Sequence, residues 1–477
     1  MSMSKGYAVA LVLVFLFASC LIDAKPVSAD SAATGNTWAE LAPMNLARSY
    51  FGAVVSDGKI YAIGGCDQVA TGGNEIMPAS SYTGGDTGAN EVYDPATGNW
   101  TLEAPMPTPR EGFAIAVYQG KIYCIGGSTQ EPPYDMFGAV GVNEAYDPST
   151  NSWQEEAPMP YPVTDLQANV IDGKIYCIGG VSSSNVGSTA NQVYDPVTNT
   201  WSENAPLPTA TFDYASAVCN GKIYIINGIW WMSDYGLDLN QIFNPQNDTW
   251  SSGAPPPYGT EAWVGAGTDV GAATTGVMAP ERIYAFSSYT QIYNPMTNSW
   301  SLGEAISSPR GGFAVVNVND QLYVMGGSNF TGDMNAEVAT ETEFNLTQLY
   351  TPVGYGTILP EISILSPENQ MFNKSSVPLV FTVDRAVSWE GYSLDGKANV
   401  TLSGNETIGG IPNGLHTITV YANDTFGNVG ASQTVNFTVA ALHPFPTVAV
   451  AVVSGSVVVA VIAGLLVYFK KRKRWVI

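Results

Sequence analysis

Two histidines serve the whole chain, His416 and His443, and both fall in its last quarter. A Ser-His-Asp triad, a three-histidine zinc site or a histidine-ligated copper site therefore cannot be built from the residues ahead of His416. Cysteine is nearly as scarce, five in 477 residues, with no spacing that reads as a disulfide framework. Cations are the third shortage. Eighteen Lys and Arg stand against 41 Asp and Glu, and seven of the eighteen crowd the ends as Lys5, Lys25, Lys470, Lys471, Arg472, Lys473 and Arg474. Between residues 30 and 469, eleven basic side chains face forty acidic ones. Such a surface repels phosphate backbones, which argues against nucleic acid and favours cationic partners or divalent ions.

What the chain has is turn glycine and aromatic residues: Gly 49, Tyr 25 and Trp 11. They recur in one phrase, clearest over Gly120–Trp153. A Gln119-Gly120 turn precedes Lys121-Ile122-Tyr123-Cys124-Ile125, which Gly126-Gly127 ends; a variable loop leads to Glu144-Ala145-Tyr146-Asp147-Pro148, and Trp153 follows. Trp100, Trp153, Trp201, Trp250 and Trp300 each stand seven residues after an aromatic, namely Tyr93, Tyr146, Tyr194, Phe243 and Tyr293. A period near 50 marks a repeat architecture. Each copy parses into four strands, a to d: Phe113–Tyr118, Lys121–Ile125, Asn143–Asp147 and Trp153–Glu156 in the second copy. The a–b turns Asp57-Gly58, Gln119-Gly120, Asp172-Gly173 and Asn220-Gly221 supply the positive φ of a two-residue hairpin. Asp-Pro or Asn-Pro opens each c–d turn. A sixth strand c, around Tyr350, has no Trp after it, while Trp38 precedes the first strand a. Trp38 is thus expected to supply the outer strand of the last sheet and close a ring of six.

Together the Gly-Gly pairs, Tyr-Asp-Pro and Trp resemble the kelch repeat over residues 36–357, which implies a six-bladed β-propeller with four-stranded blades. Galactose-oxidase-like enzymes share that propeller, but their copper site uses histidine and tyrosine, and the propeller residues here include no histidine. Sialidase Asp-boxes are absent in recognisable form. Cys124 and Cys177 hold one strand-b position in adjacent blades, too far apart for a disulfide. After Ile358, short alternating runs such as Glu361–Leu365, Val377–Val383 and His416–Ala422, with turns at Asp395-Gly396 and Asn413-Gly414, read as an antiparallel β-sandwich. Tyr392-Ser393-Leu394-Asp395-Gly396 and Tyr421-Ala422-Asn423-Asp424 resemble an Ig-like module of archaeal surface proteins, which implies a spacer.

Both ends carry membrane signals. Lys5, the apolar run Ala8–Ile22 and Val27-Ser28-Ala29 read as a secretory signal, and Val448–Phe469 is long and apolar enough to span a bilayer, with a basic tail inside. The expected layout is all-β: signal peptide 1–29, propeller 30–357, Ig-like sandwich 358–441, linker 442–447, transmembrane helix 448–469 and cytoplasmic tail 470–477. A single-pass, membrane-anchored ectodomain follows. N-glycosylation sequons occur at Asn99, Asn247, Asn329, Asn345, Asn373, Asn399, Asn405, Asn423 and Asn436.

Strand alternation puts the short a–b and c–d turns on one face and the long, individual b–c and d–a loops on the other, where recognition belongs. Candidate ligand contacts there are Tyr50, Glu111, Asp165, Tyr214 and Trp263 around the channel mouth, and Trp230, Trp231 and Tyr235 on the fourth copy's loop. Arg48, Arg110 and Arg310 share an Arg-x-x-Phe position ahead of strand a and could either hold an anion together or brace neighbouring loops. The reading favoured is a binding or adhesion protein for an extracellular glycan or protein, with no cofactor, no metal and no catalytic residue assigned. A glycan-processing enzyme using carboxylates and these arginines, or a structural envelope protein, are the alternatives.

Overall fold

The computed structural model describes residues 35–67, 69–71, 81–83, 85–129, 138–184, 186–229, 237–258, 271–331, 340–441 and 460–467. Six four-stranded antiparallel sheets form the first body. The second is typical: Ala114–Tyr118 (a), Lys121–Ile125 (b), Asn143–Asp147 (c) and Ser152–Glu155 (d). The a strands of successive sheets neighbour one another around a central axis. Strands b and c are buried on both sides, whereas strand d is mostly exposed. A strand covered on both faces calls for a continuous apolar run, and Ile-Tyr-Cys-Ile in Lys121–Ile125 provides one.

One hydrophobic cluster fills each of the six gaps between sheets. Ile63 and Val92 of blade 1 meet Ile122 and Cys124 of blade 2, for example, and Tyr284 and Phe286 of blade 5 meet Leu322 and Tyr350 of blade 6. The strand-c aromatic packs on the Trp of its own strand d, as in Tyr146–Trp153 at 5.1 Å, and on the strand-b Tyr of the preceding blade, as in Tyr61–Tyr146 at 6.1 Å. The indole then reaches backward as well. Trp153 Nε1 donates to Ala104 O of blade 1 at 2.9 Å, and Trp100, Trp201, Trp250 and Trp300 donate to Ala42, Ala157, Ala205 and Ala254. Blade 6 takes its outer strand from the other end of the propeller: Thr37–Glu40 pairs with Thr347–Thr351, Trp38 opposite Tyr350. Trp38 Nε1 donates to Glu304 O of blade 5 at 3.0 Å, so the backward bonds run once around the ring. A further small sheet joins the b–c loops of blades 6 and 1, with Thr340–Glu343 beside Val69–Thr71.

The second body holds two sheets around one core that includes Leu379, Val420 and Phe437, none of them measurably exposed. One sheet is Ile362–Ser366, Val377–Val383 and Glu406–Ile408; the other is centred on Val387–Leu394 and Gly414–Asp424. It meets the propeller at the a–b hairpin of blade 5. Asp320 Oδ2, from the a–b hairpin of blade 6, accepts the amides of Gly276, Val277, Met278 and Ala279 at 2.6–3.0 Å. Met278 O then accepts Gly356 N at 2.7 Å, Arg385 donates to Ile358 O at 2.9 Å, and Phe426 packs edge-on against Tyr355. The junction therefore lies on the short-turn face.

The C-terminal expectation is corrected. Among the described residues no helix is long and apolar enough to cross a membrane. Within 448–469 the described helix covers only 460–467, about 12 Å at 1.5 Å per residue, where a bilayer core asks for about 30 Å. The single-pass membrane localisation and the anchored membrane partner fall with the transmembrane helix. The expected signal peptide, 1–29, lies outside the described residues.

His416 gives the second body a pH signature. Its Nδ1 lies 2.9 Å from Asp395 Oδ2 and its Nε2 2.9 Å from Pro412 O, so both ring nitrogens face acceptors. Burial pulls its pKa down, but these bonds and the Asp395 charge outweigh it and hold the pKa above 6.5. For Asp395, burial raises the pKa, and the Thr417 amide and His416 bring it below 3.8. A raised folded pKa makes the His416 contribution full below the unfolded value and lost as pH rises through the folded one; the Asp395 share is lost as pH falls. Melting of the second body is expected to weaken from about pH 6 to about pH 8, and His416→Gln is expected to flatten that slope; circular dichroism melts across the range check it.

Candidate functional site

Among the described residues, five of the six d–a turns each deliver one residue to the axis in the left-handed region: Tyr50 (φ 54°), Gly112 (60°), Asp165 (54°), Asp213 (50°) and Gly312 (60°). Their backbones form a belt across the blades. Tyr50 N donates to Gly312 O, Gly112 N to Tyr50 O, Asp165 N to Gly112 O and Asp213 N to Asp165 O, at 2.8–3.1 Å. Glycine takes that conformation freely and Asp tolerates it, while a tyrosine there is strained. Gly112 also has no room for a side chain, since a Cβ would stand 2.4 Å from Asp165 Oδ1. Above the belt is a cavity of about 60 Å³ whose lining includes Tyr50, Asp165, Asp213 and Tyr214 with Phe51, Phe113 and Phe313.

Of the mouth residues expected from sequence, Tyr50, Asp165 and Tyr214 meet on this cavity. Tyr214 is a brace within it: fully buried, its hydroxyl donates to Ile178 O and accepts Gln167 N, and burial raises its pKa. Glu111 lies beside the cavity, bridged through its backbone to Ser128. Its carboxylate, the Cys66 thiol and the Asp86 carboxylate all lie within 4.8 Å of one another, a donor set of the type zinc accepts. Asp213, and the convergence of Cys66 and Asp86 on Glu111, escaped the sequence reading. Aligning Tyr50, Gly112, Asp165 and Gly312 as one repeat position would have found Asp213; nothing in the local sequence shows that Cys66 and Asp86 meet Glu111. Trp230, Trp231, Tyr235 and Trp263 lie outside the described residues.

The three arginines are internal. Arg48, Arg110 and Arg310 are fully buried, each stacked on the Phe three residues on, at 5.2–5.9 Å from the ring centre. Arg110 gives Nε to Gly126 O, Nη2 to Cys124 O and Nη1 to Thr108 O and Glu144. Arg48 binds Ala62 O and Glu91, and Arg310 binds Gly326 O, Ser308 O and Gln348. Burial lowers the pKa of Arg48 and of Arg310 to about 10. These heads stitch strands b and c to the loop ahead of strand a within one blade. The shared anion pocket is thereby replaced by three separate braces.

The other polar groups sort the same way. Cys66, Cys124, Cys177 and Cys219 are buried and form no disulfide, and burial pushes the Cys124 thiol up to about 12, so Cys124 is a packing group and not a nucleophile. Of the sequon asparagines, Asn99, Asn247, Asn373, Asn399, Asn405 and Asn436 are exposed, and Asn329, Asn345 and Asn423 are half-buried. Asn345 Nδ2 donates to Met44 O, and Asn405 Oδ1 accepts Phe381 N.

The Kelch motif family model matches residues 47–76, 109–160, 164–208 and 309–337. The chain carries kelch repeats, and the matched segments fall in blades 1, 2, 3 and 6, where Gly-Gly ends strand b. Beta-scruin of Limulus polyphemus is 32% identical over 155 residues, covering 32% of this chain and 15% of that protein. Kelch-like protein terF of Aspergillus terreus is 34% identical over 158 residues, 32% of each. Kelch repeat and BTB domain-containing protein 12 of Homo sapiens is 29% identical over 154 residues, 30% of this chain and 23% of that one. The chain spans less than a third of the length of each of these curated relatives. The solved structure of YjhT aligns with a TM-score of 0.49 at 16% identity over 64% of this chain and 95% of that one.

Removing the Arg110 head while leaving Glu144 buried is expected to cost about 3 kcal/mol or more. Urea unfolding of Arg110→Met should show a lowered midpoint, partly recovered in Arg110→Met/Glu144→Met. An unchanged midpoint would return the arginine to ligand binding.

Proposed function

We propose that the chain is a binding protein whose propeller takes a protein partner on the face built from the b–c and d–a loops. The observation that carries this reading is the position of the second body. It packs on the a–b hairpin of blade 5 through Met278, Gly356 and Arg385, on the opposite face from the long loops. The loop face is left uncovered by the rest of the described chain, on a scaffold made stiff by the belt and the buried arginines. Binding on variable loops held by a rigid frame is the usual division of labour. Kelch-repeat proteins as a group mediate protein binding, which supports the choice of a protein as partner. The net charge of −23 favours a partner with a basic surface.

In this reading the two-sheet body, with the strand and turn pattern of an Ig-like module, is a base that sets the direction of the loop face. Trp230, Trp231 and Tyr235 belong to the blade 4 b–c loop by chain position and are the aromatic anchors of choice. A binder selected on the immobilised full chain is expected to protect peptides 43–51, 104–112 and 204–213 from hydrogen exchange. Replacing Trp230, Trp231 and Tyr235 by Ala is expected to weaken that binder at least about tenfold. Protection confined to the a–b and c–d turns, with affinity unchanged in the triple variant, would reject the reading.

A further inference from the structure

A groove of about 720 Å³ opens between blades 2 and 3 on the loop side, a volume in the range of small-ligand sites. Its wall is Tyr161, from the d–a turn of blade 2; its other side is the b–c loop of blade 3 with Ser182, Ser184 and Ser188; Glu203 and Asn204 close the outer end. Tyr161 is 55% exposed, yet its backbone is fixed. The buried Gln192 side chain accepts Tyr161 N at 2.9 Å and donates to Tyr161 O at 3.0 Å. The neighbouring Glu203 carboxylate raises the pKa of the Tyr161 hydroxyl, which places the two groups close together at the outer end. The residue is thus anchored through its backbone, and an aromatic face on a fixed turn is a ready stacking platform at reduced ordering cost.

The charge of the groove narrows the ligand. Among the described residues Glu203 is the one charged side chain on its lining and no cation joins it, so phosphate, sulfate and uronate groups are repelled. The remaining polar groups are hydroxyls and amides, which both donate and accept. A ligand with an apolar ring face and a rim of neutral hydroxyls matches this set: the CH face lies on Tyr161, vicinal hydroxyls donate to Glu203, and the serines take the rest. We propose that this groove is a binding site for a neutral saccharide, with Tyr161 as the stacking platform and Glu203 as the hydroxyl acceptor. The site stands independently of the protein-binding reading, because it is tested with sugar alone.

Saturation-transfer NMR and calorimetry on the full chain, with maltotriose, cellotriose and N,N′-diacetylchitobiose as probes and sialyllactose as the anionic control, decide the matter. At least one neutral probe is expected to bind, and sialyllactose is not. Tyr161→Ala is expected to weaken binding about tenfold or more, and Glu203→Gln to weaken it less. Both positions lie at the surface, and unchanged melting would show that the variants keep the fold. Absence of transfer to all three neutral probes, equal transfer in Tyr161→Ala, or preference for sialyllactose would each overturn the proposal.

Discussion

The hydrogen bond from each strand-d indole to a carbonyl of the preceding blade is the contact on which the architecture turns. Each blade alone is a twisted sheet with two apolar faces and an outer edge that solvent would reach. The indole N–H fixes how one blade sits on the last, and the same tryptophan stacks on the strand-c aromatic of its own blade. Six such bonds make a circle only because Trp38, from the start of the propeller, enters blade 6 and donates to Glu304. Without Thr37–Glu40, strand Thr347–Thr351 would be an open edge. Each N–H···O bond contributes about 1 kcal/mol net; its weight lies in setting geometry for the apolar clusters between blades.

That closed frame assigns roles to groups that would otherwise invite chemistry. Buried arginines hold strands b and c, with Glu91 and Glu144 neutralising two of them. Tyr214 ties blade 3 to blade 4, and Cys124, Cys177 and Cys219 fill space between sheets. What remains for recognition is the loop side: the small mouth with Asp165 and Asp213, and the groove beside Tyr161. One position of strand c does different work in different blades. Gln192 clamps the turn that presents Tyr161, whereas Gln348, its equivalent in blade 6 across the ring, accepts from Arg310.

The repeat was legible because its signals are local and chemically obligatory. Turn pairs such as Gln119-Gly120 need positive φ, Asp147 caps its turn, and Tyr146 with Trp153 must be large and flat to fill a gap between sheets. Trp38 was readable as an orphan of the same phrase. The role of the arginines stayed open in the sequence for a physical reason: Arg-x-x-Phe states that a guanidinium stacks on a ring, but not whether the pair faces the axis or the interior. Cys66, Asp86 and Glu111 converge from three segments that the sequence does not bring together. The apolar run 448–469 met the length rule for a membrane span, and the described helix there is too short for one. The groove was missed because its components come from a d–a turn, Tyr161, and the end of a strand d, Glu203, that lie far apart in sequence.

Ring closure by Trp38 is the central claim, and hydrogen exchange read by mass spectrometry tests it blade by blade. In the native chain, strands b and c of all six blades are expected to exchange together, as one cooperative unit. In Trp38→Ala, peptides covering Thr347–Thr351 and Ile283–Phe286, which pack against that indole, are expected to lose protection first, by at least about tenfold relative to Lys174–Ile178 on the far side. Equal protection in all blades of the variant, or a native chain in which blade 6 already opens by itself, would contradict a ring locked by its first strand.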